Sequence, residues 1–239
     1  MINNWKKNTI YISLMQLTLL LVNFFLITII SRVYGAEIYG EYASSKSLSV
    51  LIGTAIVMSL ALVVTKFLAQ KNESSKLMFQ NAYSLILRNL MLSFIILIPL
   101  TLFLKRDLPM TILFLIGFVS NEMIHVALAY YQAKGDFVTS SKQIMLRTII
   151  YGLGAWILVT QGFSILSLIM FQVITLVSFF AVAHFSIPKN DIDLNSNKSV
   201  KNNLQASGKK MVLTTFSSAL ISELDIVLLG LFYSGSALG

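Results

Sequence analysis

The chain has 239 residues, of which 56% are apolar and 12% charged, where an ordinary soluble domain carries about 25% charged residues. A water-soluble fold has nowhere to bury so much apolar surface, whereas a bilayer takes it up as solvent. The lack of cysteine excludes a disulfide framework and a thiolate metal site. The net charge of +8 is scattered between apolar runs, which excludes the basic face of a nucleic-acid binder.

Lys6 and Lys7 precede a first apolar run, placed at 9–31. Val33-Tyr34-Gly35-Ala36 resembles a signal-cleavage region. The run from Thr9 to Ile30 is nevertheless 22 residues long, beyond the roughly 7–15 of a signal core, so it reads as a retained helix. Further spans fall at 43–65, 84–104, 110–131, 144–160, 163–185 and 211–233, the fifth being the shortest. A crossing needs about 17–25 apolar residues. Hydrocarbon leaves unpaired backbone groups no partner, so all of these read as helices. The expected fold is all-α, a polytopic transmembrane bundle of about seven helices.

With the N-terminus in the cytoplasm, fourteen of the 18 basic residues fall on the inner side and four on the outer, Arg32, Lys46, Lys105 and Arg106. That split follows the positive-inside rule without having been used to choose the spans. Two inner connections are long. Residues 66–83 mix lysines with Phe67, Leu68, Leu77, Met78 and Phe79, the pattern of an amphipathic helix lying on the membrane. Residues 186–210 are polar and start with Pro188, the signature of a linker. The expected organisation is a six-helix bundle over 1–185, a cytoplasmic linker over 186–210, and over 211–239 the first helix of a second bundle.

A central Asp, Lys or Arg in a span costs about 2.5–3.5 kcal/mol, so those that persist face a cavity or a partner. Glu122 and His125 are three apart on one helical face, with Asn121 beside them. Glu223 and Asp225 are two apart, about 200° of rotation, so one faces a cavity and the other a neighbouring helix. Gln16 and Asn23 lie along one line of the first helix, as cavity lining or as interhelical hydrogen-bonding groups. Arg88 and Arg147 sit one turn inside the expected inner helix ends, where snorkelling to lipid phosphates is the ordinary explanation. Arg32 and Lys46 lie near the outer face, where positive charge is otherwise scarce. The sequence has no phosphate-binding glycine loop, metalloprotease motif or nucleophile elbow, so transport is favoured over catalysis.

Three stretches carry a family resemblance. Ser31 to Tyr42 (SRVYGAEIYGEY) resembles the turn between the first two helices of the Wzx-type polysaccharide flippases, members of the multidrug/oligosaccharidyl-lipid/polysaccharide exporter superfamily. Tyr131 to Phe137 (YQAKGDF) is similar to the segment after the family's fourth helix. Asp225 to Gly239 (DIVLLGLFYSGSALG) resembles the seventh helix and the turn after it. Family members have twelve to fourteen helices in two bundles, so the resemblance implies an N-terminal half whose partner is the missing C-terminal bundle.

It also implies translocation of a polyprenyl-pyrophosphate-linked oligosaccharide across the bacterial cytoplasmic membrane, by alternating access, for O-antigen or capsule synthesis. Membrane lipids and a polysaccharide polymerase are the further partners, and no cofactor is implied. On that reading Arg32, Lys46, Arg88 and Arg147 contact phosphate or sugar, while Glu122, His125 and Asp225 couple transport to a proton or cation. These assignments rest on charge and depth. The alternatives are a cation-coupled small-molecule antiporter of the same superfamily and a membrane scaffold without transport.

Overall fold

A computed structural model describes residues 2–57, 59–70, 75–104, 106–187 and 198–232. The described elements are α1 (Ile2–Val57), α2 (Leu60–Ala69), α3 (Ser75–Phe103), α4 (Leu108–Ala133), α5 (Phe137–Thr160), α6 (Ile165–Phe185) and α7 (Lys198–Phe232). Among the described residues, six stretches are long and apolar enough to cross a membrane, and the first of these covers 65 residues, Trp5–Ala69. At 1.5 Å per residue that stretch would run about 100 Å, three times the thickness of a hydrocarbon core. It is not straight. Gly35 has φ 85° and ψ 166°, a conformation outside the helical region.

The two arms of α1 on either side of Gly35 fold back on one another. Asn23 and Lys46 line the same cavity, although an unbroken helix would hold them about 35 Å apart. The first arm runs along α5. Asn8 Nδ2 donates to the Gly135 carbonyl (2.9 Å) at one end, and Tyr34 Oη donates to the Phe163 carbonyl (2.6 Å) at the other. The second arm runs along α4, with Ser49 Oγ donating to the Thr111 carbonyl (2.8 Å). Farther along, Gly53 lies so close to the Phe118 ring that a Cβ there would collide with it. With α2 continuing the second arm, the described residues provide seven helical segments for crossing a membrane. This is a multi-pass membrane fold, all-helical among the described residues.

The second crossing is expected as one run over 43–65, but it begins just after Gly35, breaks at Ser59 and ends at Ala69. Ser59 adopts a left-handed conformation, φ 50° and ψ 37°. A helix break inside a membrane leaves carbonyls without helical partners, so neighbours must supply donors. Asn89 of α3 does so, donating from Nδ2 to the Ile56 carbonyl at 2.9 Å. On the other flank, Ser59 Oγ donates to Thr215 Oγ1 of α7 at 2.9 Å.

Residues 66–83 do not form the expected surface helix. α2 continues through Ala69 and α3 starts at Ser75. Met78 and Phe79 are 1% and 4% exposed, packed in one cluster with Val64, Tyr130 and Leu204. Side chains of α4 and α7 provide the apolar contact that lipid was expected to provide. The expected linker is likewise helical from Lys198 onward. There Leu204 and Gly208 are buried while Lys209 and Lys210 are exposed, a helical spacing hidden in a polar composition. Residues 188–197 of that linker lie outside the described residues. α7 packs against the second arm, α2 and α3.

Candidate functional site: a cationic cavity within the bundle

The helices around the cavity are set by local capping. The Asp107 carboxylate accepts from the Met110 backbone N–H (2.7 Å) at the start of α4, and Asp136 accepts from that of Thr139 (3.1 Å) at the start of α5. Ser164 does the same for Ser167 (3.3 Å) at the start of α6. Each cap satisfies an orphan donor and fixes where its helix begins. For α5 the consequence is functional. The helix starts at Phe137, seven residues before the expected 144. Arg147 therefore lies nearly three turns inside it, about 15 Å from its start, and not one turn from the membrane surface.

At that depth snorkelling is replaced by a specific contact: Arg147 Nη1 donates to Asn121 Oδ1 of α4 at 2.6 Å. One helical turn along α5, Tyr151 Oη donates to Gln172 Oε1 of α6 at 3.4 Å. These four side chains, together with Asn23 of the first arm and Lys46 of the second, line a cavity of about 300 Å³. That volume is at the lower end of small-molecule sites, which span about 300–1,000 Å³. Apolar layers lie toward both ends of the bundle. One contains Leu26, Ile30, Phe114 and Val159, the other Ile124, Leu128, Ile144 and Leu176.

The cavity lining includes no carboxylate. Among the described residues, neither Lys46 nor Arg147 has an acidic partner within salt-bridge distance. Lys46 is exposed and Arg147 half-buried; two cations lining one cavity without a counter-charge give it a positive potential. The guanidinium offers a planar fork that matches phosphate oxygens. The ammonium of Lys46 is a movable point charge on an exposed stem.

Of the four cations expected to meet a phosphate, the structure brings together Lys46 and Arg147. Arg32 is exposed on the first arm close to Gly35, and Arg88 is exposed on α3 with Asn89 Oδ1 3.4 Å from its guanidinium. Neither lines the cavity. Glu122 and His125 are half-buried on α4 and lie outside the lining, although His125 is within Coulombic reach of Arg147. Asp225 is exposed on α7, where its own carboxylate accepts from the Ile226 backbone N–H at 2.8 Å. Its neighbour Glu223 makes the interhelical contact, accepting from Ser47 Oγ of the second arm at 2.6 Å. The two acids thus diverge as their spacing requires, but neither lines the cavity.

Sequence reasoning missed Tyr151 and Gln172. A signal was present: Arg147 and Tyr151 are four apart on α5, and Gln172 is an amide inside an otherwise apolar span. Gln143, one turn before Arg147, continues the stripe, and its Oε1 is buried without a hydrogen-bond partner. Of the two polar residues on the first arm, Asn23 lines the cavity and Gln16 does not.

No curated protein and no solved structure matches the chain. A family model described as polysaccharide biosynthesis protein matches residues 78–239, more than half of the chain. That region includes α4, α5 and α6, which carry Asn121, Arg147, Tyr151 and Gln172 of the cavity. The chain belongs to the family of polysaccharide biosynthesis proteins.

Proposed function

We propose that the chain serves in the translocation of a polyprenyl-pyrophosphate-linked oligosaccharide from the inner to the outer leaflet of a bacterial cytoplasmic membrane. The observation that carries this reading is the unpaired Lys46–Arg147 charge in a cavity inside the bundle. A saccharide head cannot cross hydrocarbon unaided, because its hydroxyls would lose their hydrogen bonds to water. The polyprenyl tail never has to leave the lipid. What the membrane requires is a polar chamber with positive charge for the pyrophosphate, set among helices that lipid surrounds. Family membership supports a role in polysaccharide synthesis or export, and the cavity supports the anionic lipid as the species handled.

In this reading Lys46 and Arg147 hold the pyrophosphate. Arg32 and Arg88, exposed and outside the cavity, meet headgroups at the protein surface. Glu122 and His125 act from beside the cavity as coupling groups, and Asp225 from the exposed face of α7. A cation-coupled antiporter for cationic drugs would place an acid among the lining residues, and the lining holds none.

Deleting the gene tests the proposal. Lipid-linked oligosaccharide is expected to accumulate, shielded from a membrane-impermeant label applied to the outer face, and surface polysaccharide is expected to fall. Unchanged surface polysaccharide together with raised drug sensitivity would move the assignment to the antiporter.

A further inference from the structure

We infer that the wall of the cavity formed by Gln172 and Tyr151 reads the hydroxyls of the sugar next to the pyrophosphate, so that these residues set which saccharide is accepted. This rests on the translocation reading above and adds to it where substrate selectivity lies. A pyrophosphate offers acceptors and no donors at neutral pH. It can satisfy Arg147 and Lys46, and it can take amide N–H groups, but it cannot satisfy an amide carbonyl.

Three amide side chains line this cavity: Asn23, Asn121 and Gln172. Asn121 Oδ1 is occupied by Arg147. Gln172 Oε1 receives one long contact from Tyr151 at 3.4 Å, beyond the usual range of about 2.5–3.0 Å for O–H···O bonds. Among the described residues, no hydrogen bond from the Gln172 NH₂ or from either end of the Asn23 amide is present. Gln172 is half-buried and Asn23 exposed, so the open amide positions, that of Gln172 above all, are free to pair with an occupant that both donates and accepts. A sugar hydroxyl does both.

The arrangement is also polar in the sense of direction. Lys46 and Arg147 come from the second arm and α5, while Gln172 comes from α6, one α5 turn away from the guanidinium. An anchored pyrophosphate therefore presents its first sugar toward Tyr151 and Gln172. At about 300 Å³ the cavity has room for a compact group and not for a long oligosaccharide, so it reads the sugar nearest the carrier and leaves the rest of the chain unread.

The test uses the full chain in lipid nanodiscs, with bare polyprenyl pyrophosphate and the same carrier bearing glucose, galactose, N-acetylglucosamine or N-acetylgalactosamine. The readout is the ratio of affinities, sugar-bearing over bare. For the native chain at least one sugar is expected to raise affinity about tenfold, as one or two well-formed hydrogen bonds do. Gln172→Leu is expected to bring that ratio to about one. Gln172→Asn, which keeps the amide but shortens it, is expected to change the rank order of the sugars. Arg147→Gln is expected to weaken all carriers alike and leave the ratio in place. A sugar preference unaltered in both Gln172 variants, or absent from the native chain while bare carrier still binds, would overturn the selectivity inference alone. Failure of the native chain to bind any carrier would overturn the translocation reading itself.

Discussion

Replacing Arg147 by glutamine is expected to lower surface polysaccharide export about a hundredfold, the loss that follows when one charged partner of a desolvated ionic contact is removed. The same change is expected to leave the melting temperature of the detergent-solubilised protein unchanged or raised. The two effects have opposite signs for one reason. A guanidinium some 15 Å from the start of its helix is held at a cost of about 2.5–3.5 kcal/mol on insertion scales, and among the described residues Asn121 is the one hydrogen-bonded to it. Glutamine retains a donor for Asn121 Oδ1 while removing the charge. An arginine kept for architecture would show the reverse, with stability falling and export following it down. Arg147→Lys separates charge from shape: it keeps the former and loses the planar fork, so export should fall between the native protein and Arg147→Gln. Quantifying surface polysaccharide in a complemented deletion strain, next to a thermal melt of the same variants, gives both readouts.

The second large effect is expected at Gly35. Its φ of 85° and ψ of 166° belong to a region that only glycine occupies freely, and no atom lies within 4 Å of where a Cβ would stand. Steric space is thus not the constraint; backbone conformation is. Gly35→Val places a β-branched side chain in that conformation, at about 1–3 kcal/mol. The alternative is for the two arms to continue as one helix, which no bilayer can hold across its thickness. Because a change of this size alters steady-state abundance several-fold, membrane levels of the variant are expected to drop several-fold on immunoblots. Ala36→Val, one residue on and within regular helix, should leave them at the native level.

Much of the fold was legible in the sequence because bilayer thickness imposes a length on every apolar run. Six of the seven expected spans coincide in their cores with a described helix, and the turn at Gly35 sits inside the Arg32–Tyr42 connection. Hydropathy failed where helices extend through polar residues. Phe137 to Gln143 contains Thr139, Ser140, Ser141 and Lys142, and it reads as a connection. Ser140 and Ser141 are buried in the bundle and Asp136 caps the helix, so the segment is its first two turns. Lys198 to Lys210 reads as a linker for the same reason, its polar composition, although Leu204 is buried in the core.

The error at α5 propagated to the site. Placing the helix start at 144 put Arg147 near the membrane surface and gave it a surface explanation. With the start at 137 it lies deep in the helix and lines the cavity. Lys46, singled out by the scarcity of positive charge near the outer face, lines the cavity. Arg32, Arg88 and Asp225 satisfied the same criteria of charge and depth and yet lie elsewhere, because neither quantity says which way a side chain points around its helix. Tyr151 and Gln172 lie within apolar runs, where hydropathy alone does not mark them. They are brought together only where α5 and α6 face each other.

The claim on which the account turns is that an anionic lipid headgroup sits inside the bundle, between Lys46 and Arg147. The most direct measurement is photo-crosslinking in nanodiscs, with a polyprenyl pyrophosphate whose diazirine is placed beside the phosphates, followed by mass spectrometry of the adduct. The account predicts adducts on cavity residues of α5 and α6, suppressed by excess unlabelled carrier and lost in Arg147→Gln. Adducts confined to outward-facing residues such as Leu153 or Ile174, equally strong in the variant, would contradict it.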